Sequence, residues 1–426
     1  MVNHNTKKKI CVIGLGYIGL PTAAMFATHG HQVIGVDVNT KVVDALNKGE
    51  ITIEEPYLDI MVQAAVTSGN LVACMQPQEA DAFIIAVPTP ITNEKKADMK
   101  YVVSATESIV SYLKKGDIVI LESTSPVGTV EELMVPILEK SGLLVGEEVF
   151  LGHSPERVLP GQILMELVNN NRIIGGISIE SAEKIRELYL TFVKGDLYLT
   201  TAKTAEMCKL MENTFRDVNI ALANELAKIC ENIGINAWNV IELCNKHPRV
   251  NIHQPGPGVG GHCLAVDPWF IVEKVPELAR IIELARRTND SMPHYIANRI
   301  DAILGGIQGT RKVTILGITY KPNIDDMRES PIIELVHILE EQGYEIAVVD
   351  PYVGEYRYLE KDLLKACSRS DLILLGVNHN EFKNLPYIEI KRQMKNLYIL
   401  DTRNYLDRDE IEKNGFQYSL LGAMIK

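Results

Sequence analysis

Ten residues near the start of the chain, Ile10-Cys11-Val12-Ile13-Gly14-Leu15-Gly16-Tyr17-Ile18-Gly19, restrict its fold more than any others. A short apolar, β-rich run enters three glycines spaced G-x-G-x-x-G, and a helical pattern over residues 20–28 leaves them. In a strand–turn–helix unit of this kind Gly14 makes the tight turn, Gly16 lets a pyrophosphate approach the backbone, and Gly19 lets the helix pack on the strand. The first N–H groups of the helix then face the phosphates. A second strand-like run ends at Asp37. A carboxylate there accepts ribose hydroxyls and repels a 2′-phosphate, so the expected cofactor is NAD. Lys7, Lys8 and Lys9 ahead of an apolar run imitate a secretory signal, but such a signal has no use for glycines at fixed offsets.

The strand–helix rhythm continues for about 200 residues. Runs at 9–13, 32–37, 82–87, 117–122 and 150–154 read as strands, separated by helical stretches at 20–28, 41–48 and 99–113. That alternation marks a parallel sheet covered by helices. From Thr204 to Asn232 no Gly or Pro interrupts a sequence rich in Ala, Leu, Met, Glu and Lys, which predicts one long helix. A shorter helix, a Gly/Pro-rich loop at 254–263 and a helical block over 276–307 follow. After Arg311 the alternation returns, with strands at 313–317, 345–350, 371–377 and 398–401. The fold class is therefore α/β, with two Rossmann-like doubly wound domains (1–203 and 309–426) joined by a central all-helical domain (204–308). An apolar side on so long a helix would suit a homodimer interface.

Charge and cysteine usage exclude several function classes. A formal net charge of −12, from 43 Lys+Arg against 55 Asp+Glu, argues against non-specific binding to nucleic acid or anionic membranes. An anionic ligand must be held by locally placed cations and backbone N–H groups. No apolar stretch reaches the ~18–20 residues of a membrane span. Seven cysteines without a CxxC pair do not make a disulfide framework, and point to a reducing cytoplasm. No metal site is expected.

The most unusual segment is Pro255-Gly256-Pro257-Gly258-Val259-Gly260-Gly261-His262-Cys263, with four Gly and two Pro in nine residues. It brings bare N–H groups together just ahead of a thiol that could attack an aldehyde. Taken alone, a single Cys is more often inert core; Asp267, four residues on, and the loop chemistry favour function. The other six cysteines are assigned to packing. On the long helix Glu206, Lys209, Asn213 and Asp217 share one face. This is either a solvated stripe or a source of the cation and amide that an oxyanion beside the thiol would need.

Two further segments close strands at the carboxyl edge, where α/β sheets bind ligands. Glu122-Ser123-Thr124-Ser125-Pro126 is one; Ser154-Pro155-Glu156-Arg157 is the other, placing Glu156 where it could act as a base. Near the C-terminus, Lys321-Pro322-Asn323-Ile324-Asp325-Asp326-Met327-Arg328-Glu329-Ser330-Pro331 follows a strand and opens a helix. Its turn carries Gly317 without the full glycine fingerprint, so no second NAD is expected; Lys321 and Arg328 would suit a diphosphate.

In this order, these motifs resemble the UDP-glucose/UDP-N-acetyl-mannosamine 6-dehydrogenase family over essentially the whole chain. Glu122-Ser123-Thr124-Ser125-Pro126-Val127-Gly128, Pro155-Glu156-Arg157-Val158-Leu159-Pro160-Gly161, Ala205-Glu206-Met207-Cys208-Lys209-Leu210 and His247-Pro248-Arg249-Val250-Asn251 are similar to the branch that oxidises UDP-N-acetyl-D-mannosamine for surface polysaccharides. The resemblance implies that Cys263 captures an intermediate aldehyde. Lys209, Asn213 and Asp267 would hold the oxyanion and a water, while Thr124 and Glu156 serve proton transfer, with Glu156 the hydrolytic base. It also implies that Gly14, Gly16, Tyr17, Ile18, Gly19, Asp37, Thr89 and Thr124 bind NAD. Glu156, Arg157, Val158, Lys209, Asn213, Gly260, Lys321, Arg328 and Arg403 would meet the UDP-N-acetyl hexosamine, and Arg249 a neighbouring subunit's site. One departure is Pro160, where UDP-glucose dehydrogenases carry a second Glu; this weakens a two-glutamate relay and favours an N-acetylated sugar. The competing readings are a UDP-N-acetylglucosamine or UDP-glucose dehydrogenase, a two-electron hydroxyacid dehydrogenase, and a non-catalytic NAD-binding sensor.

Overall fold

Apolar β-branched runs bounded by Gly or Asp build the two sheets of the molecule. A computed structural model describes residues 7–159 and 161–424, so Pro160 lies outside the described residues. The chain divides into two units: the residues up to Glu212 together with Trp269–Val275, and Asn213–Pro268 together with the residues from Pro276 onward.

The first unit holds eight strands among the described residues: β1 (Lys9–Ile13), β2 (Gln32–Val36), β3 (Leu71–Cys74), β4 (Ala82–Ile85), β5 (Ile118–Leu121), β6 (Phe150–His153), β7 (Arg172–Gly176) and β8 (Leu197–Thr201). Their order is β3-β2-β1-β4-β5-β6-β7-β8. Every pair is parallel except β6 with β7, where Gly152 lies opposite Gly176. The expected parallel sheet therefore carries a reversed pair at one edge, and β3, β7 and β8 add to the strands that the sequence signalled. Alternate residues of β1 enter opposite cores, Ile10 and Val12 on one face, Cys11 and Ile13 on the other. Burial on both faces is why these strands read as continuous apolar runs.

The second unit holds β9 (Lys312–Leu316), β10 (Glu345–Val349), β11 (Leu372–Leu375), β12 (Tyr398–Asp401) and β13 (Gln417–Leu420) in the order β10-β9-β11-β12-β13, all parallel. Ile296, Ile300, Ile332, Leu335 and Leu339 cover one face; Ala366, Phe382, Ile390 and Phe416 cover the other. The helix Pro331–Glu341 starts where the Ser330 side chain accepts the Ile332 N–H and Pro331 takes the first position. The helical block at 276–307 is two helices, Arg280–Asp290 and Met292–Leu304, the second with Pro293 in its first turn. The long helix runs from Ala202 to Ile233. The seven cysteines are free; Cys11, Cys230 and Cys367 are buried, but Cys74, Cys208 and Cys244 are only half-buried, and Cys263 is exposed. Packing thus accounts fully for three of the six cysteines assigned to it. Among the described residues no helix is long and apolar enough to cross a membrane.

Candidate functional site

In the first unit the three glycines answer to different demands. Gly14, at φ 91°, could not carry a Cβ, which would lie 2.5 Å from the Ala86 carbonyl oxygen; at Gly19 it would lie 1.8 Å from the Gly14 oxygen. A Cβ on exposed Gly16 would meet no atom of the protein within 4 Å. Gly14 and Gly19 are required by the fold itself, whereas Gly16 is free of any packing reason and matches close approach by a ligand. Exposed Tyr17 and half-buried Ile18 precede the helix Gly19–Thr28, whose first N–H groups have no acceptor inside the helix. Asp37 stands just beyond β2. Its Oδ2 accepts the Leu15 N–H at 3.0 Å and its Oδ1 the Asn39 N–H at 2.9 Å. The carboxylate is thereby fixed beside the glycine turn with lone pairs left for ribose hydroxyls, and the turn fits a dinucleotide.

Thr89 follows β4, Thr124 follows β5 and Glu156 follows β6, all three half-buried or buried. The strand order β2-β1-β4-β5-β6 therefore lines up Asp37, Gly14, Thr89, Thr124 and Glu156 along one carboxyl edge. Sequential order reverses between β1 and β4, the place where open α/β sheets bind ligands. Glu156 Oε1 accepts the Arg157 N–H at 2.7 Å, and its Oε2 pairs with Arg172. Arg157 turns its guanidinium to Glu212, at 2.7 Å, and to the Asn171 carbonyl. Val158 is half-buried against the core. Lys209, half-buried on the long helix, is close enough to act on His153 at the end of β6, whose pKa burial and the lysine charge push down to about 3.

The shared polar face of the long helix is not a solvated stripe. Glu206 is buried and accepts the Gly128 and Val130 N–H groups at 2.6 and 2.9 Å. Asp217 is buried and binds Arg286 at 2.5 Å and Asn289 at 2.8 Å. Asn213 is buried in the second unit, and its Nδ2 donates to Asp267 Oδ2 at 2.6 Å.

In that second unit Cys263 lies one turn ahead of the helix Asp267–Lys274, its carbonyl accepting the Asp267 N–H at 2.8 Å. The exposed thiol therefore sits at a helix N-terminus, where negative charge is favoured. The glycine loop is clamped on both sides. Asn224 accepts the Gly256 N–H at 2.8 Å and is itself bonded to Asn289. On the other side a Cβ on Gly260 would lie 2.4 Å from the Glu329 oxygen, and one on Gly261 would lie 2.8 Å from the Tyr320 ring. Glu329 and Asn323 both take positive φ, 52° and 61°. Left-handed backbone at Glu329 costs about 1–2 kcal/mol, strain stored in the segment that carries Lys321 and Arg328. Lys321 is exposed, and Arg328 forks onto Asp326 at 2.6 and 2.8 Å. Burial opposes ionisation of Asp326, but the guanidinium outweighs it and holds that carboxyl below its usual range. Arg403 lies against Gly256, with Nε on the Gly376 carbonyl at 3.2 Å, and burial pulls its pKa down to about 10.

The second unit thus gathers Cys263, Asp267 and Asn213 at one helix end, and Gly260, Arg328 and Arg403 around one loop. Arg249 lies on an exposed turn, its N–H on His247 Nδ1 at 3.3 Å, with no side-chain bond to these groups. Sequence reasoning missed Arg172 and Tyr189, which hold Glu156 and Glu122, and His379, which holds the Asn323 turn. Their partners come from distant strands, so no spacing announces them. Among the described residues no group of three or more His, Cys, Asp or Glu could hold a metal ion.

This arrangement agrees with what comparison with known proteins finds. The model of the UDP-glucose/GDP-mannose dehydrogenase family matches in three parts: the NAD binding domain over residues 8–193, the central domain over 203–291 and the UDP binding domain over 314–408. The chain belongs to this family. It is an NAD-dependent dehydrogenase, as its motifs led one to expect. It is 50% identical over 421 residues to the UDP-N-acetyl-D-mannosamine dehydrogenase of Methanocaldococcus jannaschii, covering 97% of this chain and 96% of that protein. It is also 47% identical to an NDP-N-acetyl-D-galactosaminuronic acid dehydrogenase of Ralstonia solanacearum, over 93% of this chain and 96% of that protein. A solved structure of the UDP-N-acetyl-mannosamine dehydrogenase of Staphylococcus aureus superposes with TM-score 0.89 at 47% identity, covering 97% and 98% of the two chains.

Proposed function

We propose that the chain oxidises the C6 alcohol of UDP-N-acetyl-D-mannosamine to UDP-N-acetyl-D-mannosaminuronate, for surface polysaccharide synthesis. The observation that carries this reading is the exposed Cys263 thiol at a helix N-terminus, on a glycine loop clamped against the Arg328 segment. Converting a primary alcohol to a carboxylate removes four electrons, and NAD, held by Gly14, Gly16, Tyr17, Ile18, Gly19, Asp37, Thr89 and Thr124, takes them up as two hydrides, one cofactor for each.

The residues of the chain manage the carbon between those oxidations. The Cys263 sulfur adds to the C6 aldehyde, forming a C–S bond and an oxyanion that would otherwise be free to pick up solvent protons. Lys209 and Asn213, one helical turn apart, supply a charge and an amide N–H to that oxygen. Asp267 orients the Asn213 amide through its bond to Nδ2. After the second oxidation the carbon is held as a thioester, and Glu156 takes a proton from the water that releases the acid. Thr124 assists proton transfer in the alcohol step. Arg157 and Val158 frame the sugar beside Glu156, and Gly260 meets it through its backbone. Lys321, Arg328 and Arg403 meet the UDP group, and Arg249 reaches the site of a neighbouring copy.

The chain works as a homodimer in the cytoplasm. Met211, Phe215, Leu222, Ile229 and Ile233 recur at helical spacing on the long helix and are 42–62% exposed, an apolar stripe suited to a second copy. Seven free thiols suit a reducing compartment. The test is NADH counting with UDP-ManNAc, UDP-GlcNAc and UDP-glucose side by side. Two NADH per acid, formed fastest from UDP-ManNAc, is the expected result. One NADH per product would point to a two-electron dehydrogenase, and preference for another sugar would reassign the substrate.

A further inference from the structure

Arg172 opens β7, where a charged side chain ordinarily faces water, yet only 5% of this one is exposed. Groups from the ends of β5 and β6 and from the helix Ile179–Tyr189 converge on it. Its Nη1 lies 3.2 Å from Glu122 Oε1 and 3.3 Å from Ser154 Oγ, and its Nη2 pairs with Glu156 Oε2. The Tyr189 ring lies 4.1 Å from its guanidinium carbon. Glu122 is held in turn by the Tyr189 hydroxyl at 2.5 Å and the Thr22 hydroxyl at 3.1 Å. Glu156 is therefore fixed at both oxygens, by Arg172 and by the Arg157 N–H.

We infer that Arg172 is a positioning residue that aims the Glu156 carboxylate for the hydrolytic step, an inference that rests on the function proposed above. In that step the water oxygen bonds to the thioester carbon, the C–S bond breaks and its electron pair leaves as the Cys263 thiolate. The water proton passes to Glu156, and nothing is oxidised or reduced. A buried carboxylate without a cation takes up a proton and stops being a base. The two carboxylates share one guanidinium, so Glu122 draws it away from Glu156 and also repels Glu156 directly. Burial raises the pKa of Glu122, against the pull of Arg172. The groups facing Glu156 are Arg172, then Glu122 and Tyr189 around it, Arg157, whose own guanidinium is on Glu212, and Glu166, which lines the same small cavity and takes the Leu159 N–H. Removing Arg172 and neutralising Glu122 must then act on Glu156 in opposite directions.

The experiment follows decay of the acyl-enzyme on Cys263 in single turnover as a function of pH, by rapid quench and mass spectrometry. Arg172→Gln is expected to slow decay by on the order of ten-fold or more, within the range for a misplaced base, and to move the acidic limb to higher pH. Glu122→Gln is expected to move that limb to lower pH. Arg172→Lys, which keeps a charge, should recover part of the rate, and serves if the Gln variant does not fold. On a Glu156→Gln background, Arg172→Lys should slow decay by less than about two-fold, because it acts through Glu156. Shifts in the same direction, unshifted limbs, or losses that simply add to that of Glu156→Gln would overturn the inference. Absence of an adduct in the wild-type protein would instead strike the proposed function itself.

Discussion

His379 Nε2 lies 3.1 Å from Asp350 Oδ2 in the second sheet, and this contact closes off a site that the first sheet leaves open. Asp350 stands after β10 as Asp37 stands after β2, and each takes an N–H from the turn after the sheet's first strand, Ile318 at 2.8 Å and Leu15 at 3.0 Å. The Asp350 carboxylate is then occupied by His379 on Oδ2 and by the Tyr352 N–H on Oδ1, which is a physical reason to expect no dinucleotide ribose there. Nδ1 of His379 receives the Asn323 N–H at 2.9 Å, so Nε2 carries the ring proton and donates. His379 thus ties the Lys321–Arg328 segment to the sheet.

Replacing His379 with Ala removes one bond from the Asp350 carboxylate, which keeps the Ile318 and Tyr352 N–H groups, and leaves the Asn323 N–H without its partner, about 1–3 kcal/mol for that group. The expected kinetic result is a KM for the nucleotide sugar raised roughly ten-fold, with kcat and the NAD affinity nearly unchanged, since about 1.4 kcal/mol corresponds to ten-fold in binding. Steady-state kinetics at varied sugar and varied NAD check this. An effect confined to kcat would show that the segment does not bind substrate.

Gly16 and Gly19 are two positions of one motif with opposite expected responses. Gly19→Ala puts a methyl within 1.8 Å of the Gly14 oxygen, so the first strand–helix unit must shift, and a clear fall in Tm is expected. Gly16→Ala meets no protein atom within 4 Å. It should melt within about 2 °C of the parent, as small changes in ΔG imply for a chain of this size, and still lose most of its NAD affinity. Thermal melts with and without NAD separate the two. A normal NAD titration for Gly16→Ala would remove the steric reason for that glycine.

Much of this architecture was legible because β1, β4, β5 and β6 are apolar on both faces and end at Gly, Pro or acidic residues. β7 and β8 were not. β7 reads Arg172-Ile173-Ile174-Gly175-Gly176, a charge and two glycines in five residues, and its glycines are small because the Thr201 carbonyl and Ala182 crowd them. β8 is half-exposed along its length. The thiol loop and the dinucleotide turn announce themselves through glycine spacing, because close backbone approach admits no substitute. The polar face of the long helix could be read two ways because periodicity places residues on one side without saying what covers it. Burial of Glu206, Asn213 and Asp217, each with its own partner, resolved that choice.

Glu206 gives the first unit a pH dependence of known sign. Burial raises its pKa to about 7, against the two backbone N–H groups that favour the charged form. A carboxyl whose folded pKa lies above its unfolded value stabilises fully below the unfolded value and loses that contribution as pH rises through the folded one. Stability of the unit should therefore fall between about pH 4.5 and pH 7, the ordinary and the folded values for this group. In Glu206→Gln that part of the slope should vanish, at the cost of one mismatched N–H, about 1–3 kcal/mol. Denaturant melts of both proteins across that range test it. Identical slopes would mean that Glu206 is ionised throughout.

The covalent scheme stands or falls with Cys263. Serine in its place keeps a hydroxyl but lacks a nucleophile that is appreciably ionised at neutral pH. Cys263→Ser is therefore expected to bind NAD normally and to form no acid. Lys209→Ala should retain the adduct chemistry but slow overall turnover by more than about ten-fold, since loss of one well-placed oxyanion donor costs ~10²–10³ in rate. NAD titration, acid production and intact mass after quenching measure all of this on the same samples. Wild-type acid production by Cys263→Ser, or wild-type kinetics for Lys209→Ala, would return these side chains to a purely structural role. Alkylation offers an independent approach, because Cys263 is the one exposed cysteine among the seven thiols. One equivalent of reagent that modifies it should silence acid formation in proportion to labelling.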